Sequence, residues 1–526
     1  LSYDRFHGKG DRLVRVIMEY KIGDFGNKGN FTSTKVFPEF KRQFPEVVSG
    51  VRLSSTDRIV KYGDHTWIEE GVLHADSTFF ELFDFQLLSG TAPEVLKAPY
   101  SVVITQSLAK KYFGEEDPVG KTLLLNSRQD PYRVTGVSED CPSNSQIRYS
   151  MVASISSWGP LQEERYSDAN YTTYLLMDRP GALENLQKKV NAFMIKETAD
   201  SQSKVSFELE PFTRIHLHSP YDAFTPNSNI SYIYIVAGVA VLILVIACFT
   251  YVNLSTARST ERAREVGIRK VSGAWRSQLF WQFISESAVL TFMALSISFL
   301  LAGIFLPYFN HLAGTALSYT KLGHPFVWGA ALAAAAVVAL LAGSYPALIL
   351  SSFQPVKVLK GSFKNTGSGN VLRKGLIVFQ FVISVFLIIS TFIIGSQLKY
   401  IQEKKLGYYR DNILLLGMDQ RLNEKSELVK TELNSLPSVR GESLAHESPV
   451  TIRGGYNMSG SAPSRSMAVM ANPVDENYIK VTGLELIAGS DLSVQDVRDA
   501  SQEDYTKNYF HFILNESAAR ALGWSP

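Results

Sequence analysis

Residues Ile230 to Val252 read ISYIYIVAGVAVLILVIACFTYV, and no charged side chain occurs between Ala223 and Ala257. About 20 apolar residues of α-helix, rising 1.5 Å each, cross a hydrocarbon core of roughly 30 Å. A soluble core helix of that length carries a polar face, so the run predicts a membrane span. Three similar runs follow: Gln278 to Leu306, with Glu286 as its one acid, then Phe326 to Leu350, and Gly375 to Ser396.

The short connections orient these spans, because Lys and Arg stay on the cytoplasmic side. Arg258, Arg262, Arg264, Arg269, Lys270 and Arg276 lie between the first two spans, and Lys357, Lys360, Lys364, Arg373 and Lys374 between the last two. The connection from Pro307 to Pro325 has Lys321 as its one firm positive charge, which suits the outside. Residues 1–228 and 398–526 are therefore expected outside the cytoplasm. Trp281 and Trp328 fit interfacial positions.

Within 526 residues, 52 basic side chains oppose 50 acidic ones, a net charge of +2. That balance argues against a nucleic-acid partner, whose phosphates demand a basic surface. Cys141 and Cys248 are the two cysteines, too few for a disulfide framework or a thiolate metal site. The chain begins at Leu1 without a signal-peptide pattern and ends at Pro526 inside a repeated element, so it is expected to be an internal piece of a longer protein.

Before the first span, Arg12–Tyr20, Val47–Leu53, Ser101–Thr105, Lys121–Asn126 and Tyr132–Val137 have strand composition. Thr34–Phe44, Thr78–Phe83, Gln106–Phe113 and Ala182–Ile195 have helical patterning, which together gives an α+β domain. Part of it recurs. Asp76-Ser-Thr-Phe-Phe80 and Phe85-Gln-Leu-Leu-Ser-Gly90 match Asp475-Glu-Asn-Tyr-Ile479 and Leu484-Glu-Leu-Ile-Ala-Gly489. Val102–Ala109 then matches Phe512–Ala519, each block running on to a glycine, Gly114 or Gly523. A second, truncated outer domain is expected over residues 398–526.

After the first span, Arg258, Arg262, Glu265, Arg269, Ser272 and Arg276 fall on one stripe of a helix, with Ala263, Val266, Gly267, Val271 and Ala274 opposite. Such an amphipathic helix suits either the anionic inner leaflet or a cytoplasmic protein partner. Glu265 and Arg269 form an i,i+4 pair in the favoured order.

The string Arg262-Ala-Arg-Glu-Val-Gly-Ile-Arg-Lys-Val-Ser-Gly-Ala274 resembles the signature of FtsX-like, MacB-like permeases of ABC transport systems. Leu1–His7, Ile215–Ser219, Gly343–Ala347 and Gln354–Gly361 resemble further stretches of that family, so the likeness runs nearly end to end. It implies an α-helical transmembrane bundle with α+β extracytoplasmic domains in the bacterial inner membrane. The implied divisions are a first MacB-like domain at 1–228, an FtsX-like module at 229–352 with a cytoplasmic coupling loop at 255–277, a linker at 353–374, a span at 375–397 and a second MacB-like domain at 398–526.

The resemblance also implies a longer form with two outer domains and two membrane modules, a pseudo-dimer within one chain. A separate cytoplasmic ABC ATPase would dock on Arg258, Glu261, Arg262, Glu265, Val266, Gly267, Ile268, Arg269, Lys270 and Gly273. Membrane lipid and a periplasmic adaptor or outer-membrane factor complete the expected partners. No cofactor is expected. A regulator that activates an extracytoplasmic enzyme or relays envelope stress is the alternative function.

Gly114-Glu-Glu-Asp-Pro-Val-Gly-Lys-Thr122 comes close to a phosphate-binding loop, but has five residues between its glycines and follows a helix. The energy source is therefore expected elsewhere, and no catalytic constellation stands out. His216 and His218 are expected to alternate on a strand and share a face, though a structural role is favoured over metal binding. Glu286 is an intramembrane acid that an inner arginine is expected to pair, and Pro346 a kink or hinge in the third span.

Overall fold

The computed structural model describes residues 3–22, 25–126, 128–158, 166, 170–199, 203–222, 224–313, 317, 325–352, 367–404, 406–409, 411–418, 420–450, 452, 455–459, 466–500 and 508–524. Leu1, Ser2, Lys321, Lys357, Lys360, Lys364, the Gln354–Gly361 stretch and Pro526 lie outside them, as do the side chains of Glu261, Ala263, Arg264 and Arg373. The chain forms two compact units, residues 1–229 with 405–526, and residues 230–404.

In the first unit, eleven strands make one mixed sheet: β1 (Leu13–Ile22), β2 (Phe25–Gly29), β3 (Val47–Tyr62), β4 (His65–Ala75), β5 (Leu87–Ser89), β6 (Ser101–Thr105), β7 (Thr122–Leu125), β8 (Asp130–Ser138), β9 (Met151–Ser154), β10 (Thr172–Met177) and β11 (Ser203–Pro211). Their order is β11-β1-β10-β3-β4-β9-β6-β8-β5, with β2 on β1 and β7 bridging β3 and β8. Helix α1 (Val36–Gln43) buries Val36 and Phe40, and α3 (Leu183–Glu197) buries Leu186, Val190 and Met194, into one core with Val14, Val16 and Phe207. A second core gathers Phe79, Phe83, Phe85, Tyr149, Tyr174 and Phe212.

Local signals explain the elements the sequence located. Helix α2 (Gln106–Phe113) starts where the Thr105 hydroxyl accepts the Leu108 N–H, and ends at Gly114, whose φ of +62° favours glycine. The phosphate-loop lookalike is the turn after it, leading into β7, and Lys121 in it pairs with Glu116. The long hairpin of β3 and β4 exceeds the expected Val47–Leu53, and β9, β10 and β11 had no counterpart in the sequence reading.

Residues Ile215–His218 form a short helix, so the expected strand pair of histidines is absent. Residues two apart on a helix point in different directions. His216 instead stacks on Tyr3 with ring centres 3.4 Å apart. Among the described residues no cluster of three or more metal-binding side chains occurs.

The later segment, 405–526, repeats local geometry of the first domain. Asp76 accepts the Arg52 N–H at 2.7 Å while the Arg52 carbonyl accepts the Asp76 N–H; Asp475 does the same with Leu444, at 2.8 and 3.0 Å. Each aspartate precedes a short helix, Phe79–Leu82 or Tyr478–Thr482, and then a left-handed glycine, Gly90 or Gly489. Asn515 caps Glu516–Leu522 as Thr105 caps α2, and Gly523 ends it as Gly114 does.

In the second unit, four helices among the described residues are long and apolar enough to cross a membrane: α4 (Ile230–Val271), α5 (Arg276–Ala313), α6 (Pro325–Ser352) and α7 (Gly367–Glu403). The fold class is thus the expected one. The helix α6 runs unbroken through Pro346. Its buried Ala335, Ala339, Ala342 and Ala347 are small residues that let a neighbouring helix approach closely. At Gly343 a Cβ would lie 2.8 Å from the Ser287 hydroxyl and 2.9 Å from its Cβ, so α5 and α6 touch there through glycine.

Two predictions follow from this packing. Gly343→Ala should destabilise the membrane unit by about 1–3 kcal/mol in detergent. Ser287→Ala should recover part of the loss, and thermal unfolding measures both. His74 is fully buried, its ring centre 4.5 Å from that of Trp158 at a tilt of 33°, and neither ring nitrogen has a hydrogen-bond partner. Burial, helped by Arg58, pushes its pKa down to about 3. The folded state therefore needs neutral His74 and loses stability as pH falls below about 6.5, with about 2 kcal/mol gone by pH 5. His74→Phe should keep the ring contact with Trp158 and lower the outer domain's acid sensitivity by that amount relative to wild type, read from thermal midpoints at pH 7 and pH 5.

Candidate coupling site on the inner helical hairpin

The first span continues without a break into the expected amphipathic segment, all as α4, so most of the inner connection is helix. The helix ends by a Schellman arrangement. Gly273, at φ +97°, donates to the Lys270 carbonyl at 3.1 Å, and Ala274 donates to the Arg269 carbonyl at 3.0 Å. The next helix opens at once, with the Trp275 N–H bonded to the Gln278 side chain at 3.0 Å. Helices α4 and α5 are thus joined as a hairpin through the four residues 272–275.

One face of α4 is spent inside its own unit. Val266 is buried with Leu279, Phe283, Ile284 and Ala347, and Gly267 is buried beside it. Arg262 reaches Glu286 at 2.5 Å, and Gln282 donates to the other carboxylate oxygen at 3.3 Å. The intramembrane acid is thus paired, as an ionised carboxylate within a span needs to be. Arg269 donates to Gln282 at 2.5 Å and pairs with Glu265 at 2.7 Å. Deeper in the membrane the Tyr251 hydroxyl meets that of Ser287 at 2.7 Å.

Lys270 donates to the Ser351 carbonyl at 2.5 Å, placing a cation at the C-terminal turn of α6, the negative end of its dipole. Burial, with Arg276 nearby, lowers the pKa of this ammonium. Pro346 is buried one residue from Ala347, a member of the same apolar cluster.

The expected division of the helix into a polar and an apolar face needs correction. Arg262 and Arg269 do not stand in solvent alone, because each is tied to α5. Val271, placed on the apolar face with Val266, is 67% exposed; Ile268 is 59% and Trp275 75% exposed. The left-handed turn at Gly273 explains this. It follows closely on Val271, the last residue of α4, and three apolar side chains stand exposed at the hairpin's tip, with Arg258, Glu265 and Arg276 also exposed. Of these apolar three, only Ile268 was among the expected docking residues. Trp275 was missed, whereas Gln282, at i,i+4 spacing to Glu286 in the sequence, does bond that carboxylate.

Two family models match the chain: the MacB-like periplasmic core domain over residues 1–193 and the FtsX-like permease C-terminal segment over residues 237–355. The macrolide export ATP-binding/permease protein MacB of Aggregatibacter actinomycetemcomitans is 24% identical, over 54% of this chain and 41% of the relative. The pyoverdine export ATP-binding/permease protein PvdT of Pseudomonas savastanoi pv. phaseolicola is 27% identical, over 60% and 46% respectively. The crystal structure of the periplasmic region of MacB from Actinobacillus actinomycetemcomitans is 17% identical, covering 39% of this chain and 91% of that one, with a TM-score of 0.30.

The chain spans about half the length of the curated relatives it matches. The two matched segments are a periplasmic and a permease part, neither of them a nucleotide-binding domain. With its apolar helices it is a multi-pass inner-membrane protein whose core domain is periplasmic. The chain thus joins a segment that matches the MacB-like periplasmic core domain to one that matches the FtsX-like permease C-terminal segment, both of which occur in ABC-transporter permeases.

Proposed function

We propose that this permease couples ATP hydrolysis by a separate cytoplasmic ATPase to movement of its periplasmic domains, for export or extraction of a substrate. The observation that carries the reading is the hairpin tip. Ile268, Val271 and Trp275 are exposed apolar side chains on the cytoplasmic side, while Val266, Arg262 and Arg269 bind the hairpin to its own bundle. A partner that grips the tip therefore moves α4 and α5 together. Arg258, Glu261, Glu265, Lys270 and Gly273 belong to the same docking segment, with Glu286 and Pro346 as its anchor points in the membrane.

The relatives are named for export of macrolide and of pyoverdine, which supports small-molecule export with a periplasmic adaptor or outer-membrane factor. Residues 1–228 and 398–526 act as two outer domains around the module at 229–352, the linker at 353–374 and the span at 375–397. What supports the duplication is the paired hydrogen-bond geometry of Asp76 and Asp475 and the caps at Thr105 and Asn515.

The test is ATPase activity recovered with the tagged full-length protein from membranes. Wild type should carry nucleotide hydrolysis with it, and Val271→Asp with Trp275→Ala should reduce that activity by about tenfold or more, since burying a charge in an apolar contact costs at least 1.4 kcal/mol. Recovery equal to wild type would contradict docking at the tip.

A further inference from the structure

Where the outer domain's chain turns toward the first span, a buried arginine ties that return segment to the outer sheet. Arg15 stands in β1 with its side chain wholly buried, and its guanidinium serves acceptors on two elements. Toward the sheet, Nε and Nη2 donate to Glu210 of β11 at 3.1 and 2.7 Å. Toward the return segment, Nη2 donates to the Ser219 hydroxyl at 2.7 Å and the Tyr221 carbonyl at 3.0 Å, and Nη1 approaches the Asp222 carbonyl at 3.5 Å. Ser219 closes the ring by donating to Glu210 at 2.8 Å.

The same short segment is held from other sides. Asn227 donates to the Tyr221 and Ser219 carbonyls at 2.7 and 3.2 Å, Asn30 donates to the Asp222 carbonyl at 2.8 Å, and the Ser228 N–H meets the His216 carbonyl at 2.8 Å. Helix α4 begins two residues later, at Ile230. A surface connection between a domain and a helix ordinarily runs as a mobile loop. Here a buried charge, which is expensive to bury, is committed to fixing one.

We propose that Arg15, with Glu210 and Ser219, is a positioning group that makes residues 215–228 rigid with the outer sheet, so that motion arriving along α4 is delivered to β1 and β11 rather than lost in a slack linker. Only an arginine suits the post, because its planar fork reaches a carboxylate, a hydroxyl and a carbonyl at once while a lysine offers a point charge. The significance of this rigidity rests on the coupling function proposed above; the rigidity itself does not.

The test is the width of a spin-label distance distribution in the full-length chain, with labels at Ile195→Cys and Pro226→Cys and with Cys141 and Cys248 replaced by Ser. Both label sites lie in the outer unit and are exposed. Wild type should give one narrow distribution. Arg15→Met with Glu210→Met removes the whole buried pair, a change that is often neutral or stabilising for the fold, and the distribution should broaden about twofold. Should that variant unfold, Ser219→Ala with Asn227→Leu cuts part of the return-segment ties, leaves Arg15 bonded to Glu210 and to the Tyr221 carbonyl, and should broaden the distribution by a smaller amount.

A distribution as narrow as wild type in a folded variant would overturn the proposal, and so would a broad one in wild type. Neither measurement needs ATP or a partner, so failure of the coupling function would leave this result standing, and the reverse.

Discussion

A helix of 42 residues rises about 63 Å, roughly twice the thickness of the hydrocarbon core it enters. Helix α4 therefore carries well beyond the membrane, and what surrounds its inner half follows from that length. An isolated helical extension in water is marginal, and most helical stability comes from packing. The extension is accordingly packed with Val266 in an apolar cluster, paired through Arg262 and Arg269, and closed by a glycine turn that sends α5 straight back. Polar contacts at 269 with 282, 262 with 286 and 251 with 287 run from the tip into the membrane. Exposed pairs of this kind are worth little one by one, about 0–1 kcal/mol in water. Their effect here is registry, since they hold two antiparallel helices against sliding.

The same division of labour recurs outside the membrane. Apolar cores built from Phe79, Phe83 and Phe212, or from Phe40 and Phe207, supply the stability of the outer sheet. Buried polar groups supply fixed connections. Arg15 holds the return segment, and Asp76 holds the turn between β4 and the short helix after it. Asp475 repeats the second of these with a changed partner, for its cation is Lys430, from the helix Ser426–Asn434, where Asp76 uses Arg52 from β3. The same backbone bonds to an aspartate occur in both places while the counter-ion comes from different elements, as expected when backbone geometry, rather than the ion pair itself, is what the turn requires.

How much of this was legible depended on whether the signal is local. The four apolar runs announce themselves by length alone. Thr105 before α2 and Gly114 after it mark that helix from the sequence, because capping is settled within a few residues. The strands β9, β10 and β11 were invisible, since their partners lie far along the chain and short apolar runs do not say whether they are strand or helix. His216 and His218 misled for the same reason, a short alternation being compatible with a single helical turn. The inner part of α4 was legible as an amphipathic helix, yet its faces were misjudged at Val271, because Gly273 ends the helix in a way that periodicity does not register. Arg15 gave no signal at all, as the acceptors that define its role sit nearly two hundred residues away.

Hydrogen exchange of the backbone amides from 256 to 271, measured on the full-length protein in lipid, probes the continuity of α4 most directly. Coupling through a rigid hairpin predicts that these amides exchange as slowly as those of the span before them, with protection ending sharply at Gly273. Exchange within seconds across 256–271, beside a protected span, would mean that the inner segment is a loop in the working protein and would contradict the account.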